Sequence, residues 1–269
     1  GAAVKNNEGE WVLLNGNQTA LMFVYYLITR WKELGKINGK EYIVKTIVTT
    51  ETIKTIAERN GVEMYDVYTG FKWIANVMRE NEGKKNYIGG GEESYGFLCE
   101  DFVRDKDAVS ACVILAEIAA WAKDQGLSLY QLLQKIYVEY GFSKEKGISV
   151  VKKGKSGAEE IEAMMKKFRE NPLTEIAGSK VTYFYDYSTL KGKDYAENET
   201  VTLDMPTTSN VLQYFTEDNT KVSIRPSGTE PKIKFYCEVH SKVKSIDELP
   251  EAEKAAEEKI NQIKASLGI

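Results

Sequence analysis

Histidine, cysteine and long apolar runs are scarce in this chain, and each scarcity limits what the protein can be. His240 is the only histidine, so a His-rich metal centre is excluded, and a Ser-His-Asp or Cys-His centre would have to use it. Because His240 falls late in a strand-like run, we interpret it as structural. The three cysteines, Cys99, Cys112 and Cys237, form no CxxC pair, which is typical of core thiols in a reducing cytoplasm.

Charge and composition also lack extremes. The formal net charge is −4, with acidic and basic residues interspersed, so no nucleic-acid partner is expected. No apolar run approaches the ~18 residues of a membrane-spanning helix, and no membrane partner is expected either. The chain is 42% hydrophobic and 28% charged over 269 residues, which is typical of a soluble globular protein. Together with the unpaired cysteines, this leads us to expect a cytoplasmic location. Its length predicts roughly two domains, at about 150 residues each.

Strands and helices alternate through the first half of the chain. The apolar, β-branched run "EYIVKTIVTT" (41–50) precedes the helical pattern "ETIKTIAERNG" (51–61). The alternation repeats in "VEMYDVYTG" (62–70) and "FKWIANVMREN" (71–81). Parallel strands joined by helices produce such a pattern, so we predict an α/β layer that ends near residue 150.

The second half has a different pattern. An amphipathic helix, for which Ser156 is the predicted N-cap, precedes strand-like runs at 179–190, 209–216, 221–227 and 232–241. A charged helix at 245–268 closes the chain. Several neighbouring strands with two helices predict a small α+β domain with an antiparallel sheet.

Residues 225–231, "RPSGTEP", interrupt two good strands with a polar loop. Arg225 offers a planar fork that matches two phosphate oxygens, and Ser227 and Thr229 offer hydroxyls. Gly228 lets the backbone approach a ligand closely, and the flanking prolines fix the loop before the ligand arrives. From composition alone, an anion site and a hairpin turn with an incidental arginine remain equal alternatives.

Residues 89–96, "GGGEESYG", form a second candidate loop. Glu92 and Ser94 are two residues apart, so both side chains face one side of an extended segment. A carboxylate and a hydroxyl side by side suit neighbouring sugar hydroxyls, whereas the alternative is a solvated loop after a strand. The spacing from Gly91 to Gly96 does not fit the GxGxxG nucleotide fingerprint.

Residues 68–74, "YTGFKWI", form a third candidate, where a strand ends and a helix begins. Ligands of α/β sheets bind at the carboxyl ends of strands, so Lys72 is placed to move a proton or hold a phosphate. Most lysines in a first helical turn are simply solvated, and this alternative also stays open.

The tripeptide "GKS" at 154–156 is not a P-loop. A Walker A motif needs a glycine five residues before Gly154, and that position is Ser149. We interpret the segment as a linker and helix cap.

Taken in this order and at these separations, "TGFKWI", "GEESYG" and "RPSGTEPK" resemble the α-D-phosphohexomutases, and within them the phosphoglucomutase/phosphomannomutase group. The resemblance spans essentially the whole chain, and the ordered set is far more specific than any single motif. It implies that Glu92 and Ser94 grip sugar hydroxyls and that Lys72 is a ligand and acid/base group. The residues that it implies for the substrate phosphate are Arg225, Ser227, Gly228 and Thr229.

The resemblance also implies a domain organisation. Residues 1–13 would be the tail of domain 2, residues 14–150 domain 3, a mixed α/β/α sandwich, and residues 151–269 domain 4. Domain 4 would be a smaller α+β domain with an antiparallel sheet, similar to the TATA-box-binding protein. The family's phosphorylated serine and its Asp-x-Asp-x-Asp-Arg metal loop have no counterpart here, and Asp105 and Asp107 suit helix capping equally well. We therefore expect a C-terminal fragment that is inactive alone.

The implied activity is the interconversion of hexose 1-phosphate and hexose 6-phosphate through a phosphoserine enzyme. A hexose 1,6-bisphosphate is the intermediate, and glucose 1,6-bisphosphate is the implied activator. Mg²⁺, bound by the upstream part of the protein, and cationic side chains would offset charge on the moving phosphoryl group.

A different class of function also fits the motifs. A non-catalytic module that binds sugar phosphates would need the anion loop and the hydroxyl-reading loop without a phosphoserine or a metal loop. The upstream sequence discriminates between the two hypotheses, because only the mutase requires a serine phosphorylation loop and an Asp-rich metal loop there.

Overall fold

The fold is described by a computed structural model for residues 1–152, 154–228 and 230–269. The chain divides into two compact units. The first comprises Gly1–Phe142 and Lys242–Asp247, and the second comprises Ser143–Ser241 and Glu248–Ile269.

The first unit alternates strands and helices, as the apolar periodicity predicts. Its elements are β1 (Ala2–Lys5), β2 (Trp11–Leu14), α1 (Gly16–Glu33), β3 (Glu41–Thr46), α2 (Thr52–Arg59), β4 (Glu63–Val67), α3 (Phe71–Asn81), β5 (Asn86–Gly91), β6 (Phe97–Cys99), α4 (Ala108–Asp124) and α5 (Leu129–Tyr140).

The main sheet of this unit has the strand order β4-β3-β5-β6. β3 is parallel to β4 and to β5, whereas β6 returns antiparallel to β5. β1 and β2 form a separate antiparallel hairpin. Since β3 is central and covered on both faces, every one of its residues is buried. Because parallel strands end at a common edge, the segments that follow β3, β4 and β5 emerge together.

Helix starts in the first unit follow from local capping signals. The side chain of Asn15 accepts from the backbone N–H of Gln18 at 2.8 Å, and the Gln18 side chain accepts from the backbone N–H of Asn15 at 3.0 Å. Ser128 and Gln131 form the same reciprocal capping box at α5. These helices therefore begin where three or four residues of sequence dictate.

An aromatic and aliphatic core fixes α3 against the sheet. The ring of Tyr42 lies 5.5 Å from the rings of both Tyr65 and Tyr87, which ties β3 to its two parallel neighbours. The buried members of this cluster are Tyr42, Val44, Val67, Phe71, Ile74, Met78, Tyr87 and Leu98. Because Phe71 and Ile74 belong to it, the first turn of α3 has a defined position at the sheet edge.

The second unit contains a larger sheet and two long helices. Its elements are β7 (Phe142–Val151), α6 (Gly154–Glu170), β8 (Glu175–Ile176), β9 (Ser179–Asp186), β10 (Lys191–Asp194), β11 (Glu199–Thr202), β12 (Leu212–Thr216), β13 (Lys221–Pro226), β14 (Lys232–Ser241) and α7 (Leu249–Leu267). A 3₁₀ helix, Ile246–Glu248, precedes α7. Across the described ranges, every helix is too short or too polar to cross a membrane.

The larger sheet has the order β11-β10-β9-β12-β13-β14-β7, and β8 pairs with β9. Each consecutive pair from β11 to β14 is antiparallel, as the sequence predicts. Side chains alternate along β14, so Ile233, Phe235 and Cys237 are buried on the face that packs against α6 and α7. Phe168 of α6 lies 6.2 Å, ring to ring, from Phe235. Lys234 projects from the opposite face.

Three local features differ from the sequence expectations. Ser156 lies inside the first turn of α6, which begins at Gly154, so its predicted N-cap role is wrong. The glycine-rich loop is shorter than expected, because Gly89–Gly91 form the end of β5 and residues 97–99 return as β6. Residues 191–202 form a polar hairpin at the sheet edge that no apolar alternation predicts.

Candidate functional site

The turn after β4 and the loop after β5 are joined by a hydrogen bond. Gly70 has φ +113°, a conformation that L side chains rarely adopt, and it forms the N-cap of α3. Its backbone N–H donates to Oε1 of Glu92 at 2.8 Å. Two of the three predicted ligand segments, "YTGFKWI" and "GGGEESYG", are therefore in direct contact within the first unit.

Glycines allow the hairpin between β5 and β6 to approach its neighbours closely. A Cβ atom on Gly90 would lie 2.3 Å from the carbonyl oxygen of Val44, and one on Gly91 would lie 2.6 Å from the carbonyl oxygen of Gly96. Ser94, at the tip of this hairpin, is exposed. Next to it, Tyr95 has φ +71°, an uncommon conformation for a non-glycine residue.

A residue that the sequence did not single out, Glu93, fixes the loop from below. The hydroxyl of Thr46, at the end of β3, donates to Oε2 of Glu93 at 3.2 Å and lies 2.8 Å from the hydroxyl of Thr49. The backbone carbonyl oxygen of Glu93 lies so close to Gly16 that a Cβ atom on Gly16 would be only 1.9 Å away from it. The loop is thus hydrogen-bonded to β3 and packs closely against Gly16, the first residue of α1, while Ser94 remains accessible.

The buried Lys45, one residue before the end of β3, pairs with two partly exposed carboxylates. Its Nζ lies 2.7 Å from Oδ1 of Asp66 on β4 and 2.9 Å from Oε1 of Glu51, the N-cap of α2. The Lys45 side chain is 1% exposed, and in the sheet it is in register with both Asp66 and Gly91. The corresponding signal in the sequence is a single lysine inside an apolar, β-branched run.

Lys72 is exposed in the first turn of α3. Its Nζ lies 4.9 Å from the ring centroid of Trp73, whose ring is packed 5.7 Å from that of Tyr68. Burial raises the pKa of Tyr68 to about 12, so that phenol stays neutral at physiological pH. Lys72 also lines a surface cavity of about 530 Å³ together with Arg79 and Arg104. Glu82 and Asp105 line the same cavity, and Arg104 lies 3.2 Å from Glu82, so its cationic charge is largely offset by carboxylates.

The third predicted segment forms a short hairpin loop in the second unit, between β13 and β14. The backbone N–H of Ser227 donates to the carbonyl of Lys232 at 2.8 Å, and the backbone N–H of Glu230 donates to the Ser227 hydroxyl at 3.3 Å. Gly228 is exposed, with open space where a Cβ would stand. Thr229 lies outside the described residues. The candidate anion-binding loop is therefore also a strand-to-strand turn, so the two interpretations of this segment do not exclude each other.

Arg225 stands at the base of this loop. It is half-buried on β13, and its guanidinium has no hydrogen-bond or ion-pair partner among the residues that the structure describes. Lys232, by contrast, is ion-paired with Glu230, and the hydrogen bond from Lys232 lowers the pKa of the Glu230 carboxyl. A guanidinium that donates to no protein acceptor is suited to donate hydrogen bonds to an external anion.

A groove of about 540 Å³ runs between the same loop and α6. Ile161 and Met165 provide apolar lining, and Pro226 and Pro231 line the loop side. Two cations line this groove, Lys166, whose Nζ lies 3.8 Å from Oε1 of Glu170, and Arg169. Arg169 donates to Asp186 at 2.9 Å and to Asn210 at 2.8 Å. Its positive charge is therefore already neutralised by protein.

Carboxylates near α4 serve local structure. Asp107 caps α4 by accepting from the backbone N–H of Ser110 at 2.7 Å, and this bond lowers the pKa of the Asp107 carboxyl. Asp105 is 3.1 Å from Nζ of Lys106, whose hydrogen bond lowers the pKa of the Asp105 carboxyl. Within the described ranges, no three His, Cys, Asp or Glu side chains are grouped to hold a metal ion. Asp105 and Asp107 therefore do not form a carboxylate group that fits Mg²⁺.

The histidine and the cysteines do not form a nucleophilic centre of the Cys-His type in the described residues. Nδ1 of His240 lies 3.1 Å from the hydroxyl of the buried Ser143. Cys99 and Cys237 are buried, and burial raises the pKa of each thiol to about 12. Cys112 is exposed on α4, so the prediction of a core thiol is wrong there.

Two family models match the chain. The model "Phosphoglucomutase/phosphomannomutase, alpha/beta/alpha domain III" matches residues 15–140, and "Phosphoglucomutase/phosphomannomutase, C-terminal domain" matches residues 149–256. A phosphoglucomutase of Staphylococcus aureus is 37% identical over 236 residues, which cover 88% of this chain and 42% of that protein. One from Staphylococcus haemolyticus is 32% identical over 240 residues, covering 89% and 43%. The chain thus spans less than half the length of these curated relatives.

Solved structures share the fold. The exocytosis-sensitive phosphoprotein pp63/parafusin (phosphoglucomutase) from Paramecium, in its open form, aligns with a TM-score of 0.57 at 16% identity, over 97% of this chain and 43% of that one. A phosphoglucomutase/phosphomannomutase family protein from Burkholderia thailandensis aligns with a TM-score of 0.56 at 16% identity, over 99% and 44%. At these identities the likeness bears on the fold alone.

Proposed function

Because the chain belongs to the phosphoglucomutase/phosphomannomutase family, we propose that it carries substrate-binding loops of a cytoplasmic enzyme that interconverts hexose 1-phosphate and hexose 6-phosphate. The observation that carries this proposal is the Arg225 guanidinium, half-buried at the base of a hairpin loop and unpaired within the described part of the chain. Its fork would bind two phosphate oxygens. The proposed phosphate ligands are Arg225, Ser227, Gly228 and, outside the described residues, Thr229.

We assign sugar recognition to the first unit. Oε1 of Glu92 accepts from Gly70, which orients the carboxylate and leaves Oε2 to accept from a sugar hydroxyl. Ser94 is exposed beside it and supplies a hydroxyl that donates or accepts. Lys72, in the first turn of the helix that Gly70 caps, is the proposed acid/base group and ligand, because its ammonium is exposed at the same strand edge.

The proposed reaction transfers a phosphoryl group twice. The O–P bond of a phosphoserine breaks while an O–P bond forms to the free hydroxyl of hexose 1-phosphate, and the hydroxyl proton passes by way of a base to the departing serine oxygen. The resulting hexose 1,6-bisphosphate returns its other phosphoryl group to the serine and leaves as hexose 6-phosphate. This chain would bind and orient the sugar phosphate during both transfers.

We assign the phosphoserine and the Mg²⁺ site to a part of the full-length protein that this chain does not contain. No described carboxylate cluster fits Mg²⁺, and Asp105 and Asp107 are engaged locally. Without a covalent carrier the reaction path is missing, so we propose that this chain binds sugar phosphates but does not turn over alone.

Titration of the purified chain with glucose 1-phosphate, followed by ¹H–¹⁵N NMR, tests the proposal. We expect the backbone amides of Ser227 and Gly228 to shift with glucose 1-phosphate and with mannose 1-phosphate, but not with glucose. The Arg225→Gln variant should lose these shifts, whereas the surface variant Arg30→Gln should retain them. Sugar-phosphate binding that leaves residues 225–231 unperturbed would refute the assignment.

A further inference from the structure

Two neighbouring carboxylates in the turn between β5 and β6 are bound to different parts of the sheet edge. The backbone N–H of Glu92 donates to the carbonyl of Gly96 at 2.8 Å and closes this turn. Oε1 of Glu92 accepts from Gly70, after β4, whereas Oε2 of Glu93 accepts at 3.2 Å from the hydroxyl of Thr46, the last residue of β3. The two side chains therefore connect the turn both to β3 and to the segment after β4.

The bond to Glu93 is the last in a chain of two buried hydroxyls. Thr46 donates in this bond, because an ionised carboxylate can only accept. Since Thr46 has one hydroxyl proton, the hydroxyl of Thr49 must donate in the 2.8 Å contact between the two threonines. Both threonines are fully buried. In a low-dielectric interior, hydrogen bonds in such a chain strengthen one another, so the carboxylate of Glu93 is firmly held.

The first turn of α1 supports the same arrangement from a second side. The backbone N–H of Thr50 donates to Oδ1 of the buried Asn17 at 3.0 Å. Gly16, the residue before Asn17, lies directly against the backbone carbonyl of Glu93. Glu93 is thus held through its side chain by the segment after β3, and its backbone packs against the helix that binds that segment. Ser94, the next residue, is exposed.

We propose that Glu93, held by Thr46 and Thr49, is a positioning residue that gives the chain its preference for a sugar phosphate over inorganic phosphate, an inference that rests on the proposed function. Glu93 lies between Glu92 and Ser94, the two proposed sugar ligands, so a shift of its backbone moves both of them. A turn that is fixed before the ligand arrives loses little conformational freedom on binding. Glu93 therefore acts through its neighbours and not on the ligand itself.

The test compares the Kd values of glucose 1-phosphate and inorganic phosphate for the full chain, with amide shifts as the readout. Thr46→Val replaces the hydroxyl by a methyl group and should raise the Kd of glucose 1-phosphate about three- to tenfold, the loss of about one hydrogen bond. The Kd of inorganic phosphate should change less than about twofold, because the proposed phosphate loop belongs to the other unit. Thr46→Ser keeps the hydroxyl and should restore the affinity for glucose 1-phosphate.

Glu93→Ala tests whether the two residues act through one contact. We expect the same loss as in Thr46→Val, and the double variant should lose no more than either single variant, because each substitution removes the same bond. Losses that add in the double variant would overturn the inference. Glu93→Gln should retain much of the affinity, because its amide oxygen still accepts from Thr46. Glu93 is half-buried, so Glu93→Ala decides the question even if Thr46→Val does not fold.

Thr216→Val is the matched control. Thr216 is a buried threonine of the second unit, and its hydroxyl donates to Oδ1 of Asp218 at 2.6 Å. The substitution removes the same kind of bond, from a buried hydroxyl to a carboxylate, at a position without contact to the proposed sugar ligands. Its melting temperature should fall while the ratio of the two Kd values stays that of the parent chain.

The ratio of the two Kd values separates a positioning role from a purely structural one. A structural role predicts that Thr46→Val and Glu93→Ala lower the melting temperature but keep the ratio of the parent chain, and that result would overturn the inference. So would an equal loss of affinity for both ligands. A parent chain that binds inorganic phosphate as tightly as glucose 1-phosphate would instead refute the sugar recognition assigned to the first unit in the proposed function.

Discussion

The backbone N–H of Gly70 donates to Oε1 of Glu92 at 2.8 Å, across 22 residues of sequence. Glu92 thereby does for α3 what an N3 side chain does in a capping box, and its negative charge lies at the favourable end of the helix dipole. One carboxylate oxygen is used by the fold. The other oxygen, Oε2, lies beside Gly96: a Cβ atom on Gly96 would be 3.0 Å from Oε2.

Glu92→Ala should therefore affect both stability and binding, whereas Ser94→Ala should affect binding alone. Loss of the hydrogen bond from Gly70 should cost about 1 kcal/mol of unfolding free energy. Ser94 is exposed, so its removal should leave the melting temperature unchanged while glucose 1-phosphate binds more weakly. Inorganic phosphate should bind both variants like the parent chain. A melting temperature that falls in Ser94→Ala would show that the loop is structural.

Arg225→Ala should weaken glucose 1-phosphate binding by about 1.5–3 kcal/mol, the range for hydrogen bonds to charged groups. Arg225→Lys should restore only part of the affinity, because the ammonium lacks the bidentate fork. Calorimetric titration measures both, and Arg30→Ala, which removes a partly exposed arginine paired with Glu33, is the control. Equal affinities in all four proteins would remove Arg225 from the site.

Lys45→Met should destabilise the first unit by about 3 kcal/mol, because it leaves two carboxylates without their buried cation. We expect the low end of the usual range, since the side chains of Glu51 and Asp66 are 32% and 36% exposed. Lys54→Met removes an exposed lysine from α2 and should change stability by less than about 0.5 kcal/mol. Urea denaturation measures both, and equal losses would contradict a special role for Lys45.

Gly90→Ala should prevent normal packing of the main sheet. Its Cβ would lie 2.3 Å from the carbonyl oxygen of Val44, a backbone atom that cannot move without displacing β3. We expect a loss of about 3 kcal/mol. Gly147→Ala meets open space and should be neutral or slightly stabilising. Thermal unfolding of the pair checks the close approach, and similar melting temperatures would disprove it.

The purified chain should not turn over glucose 1-phosphate, even with Mg²⁺ and glucose 1,6-bisphosphate present. The physical reason is that we assign the phosphoryl carrier to no residue of this chain. Without a covalent carrier the reaction path is missing. A coupled assay for glucose 6-phosphate measures this. Sustained product formation that scales with protein concentration and disappears in Arg225→Ala would show that the chain is catalytically complete.

Much of the fold could be predicted because its signals are local. Asn15 and Gln18 dictate the start of α1, and Ser128 does the same for α5, through contacts within one helical turn. The change from strand–helix alternation to successive strands predicts an α/β layer followed by an antiparallel sheet, and both are present. The order of three short motifs predicts the family. The roles assigned to the site residues stay predictions.

Only the tertiary structure decided the contacts between segments that are distant in sequence. The bond between Gly70 and Glu92 and the ion pair between Lys45 and Asp66 exist because β3 lies between β4 and β5, an order that no local pattern encodes. The opposition of Arg225 and Lys234 depends on the register of β13 against β14, and a shift by one residue would move one of the two to the other face. Periodicity reports which face of an element is buried. Only the packed structure determines which elements become neighbours, because the strand order depends on contacts throughout the core and not on any one segment.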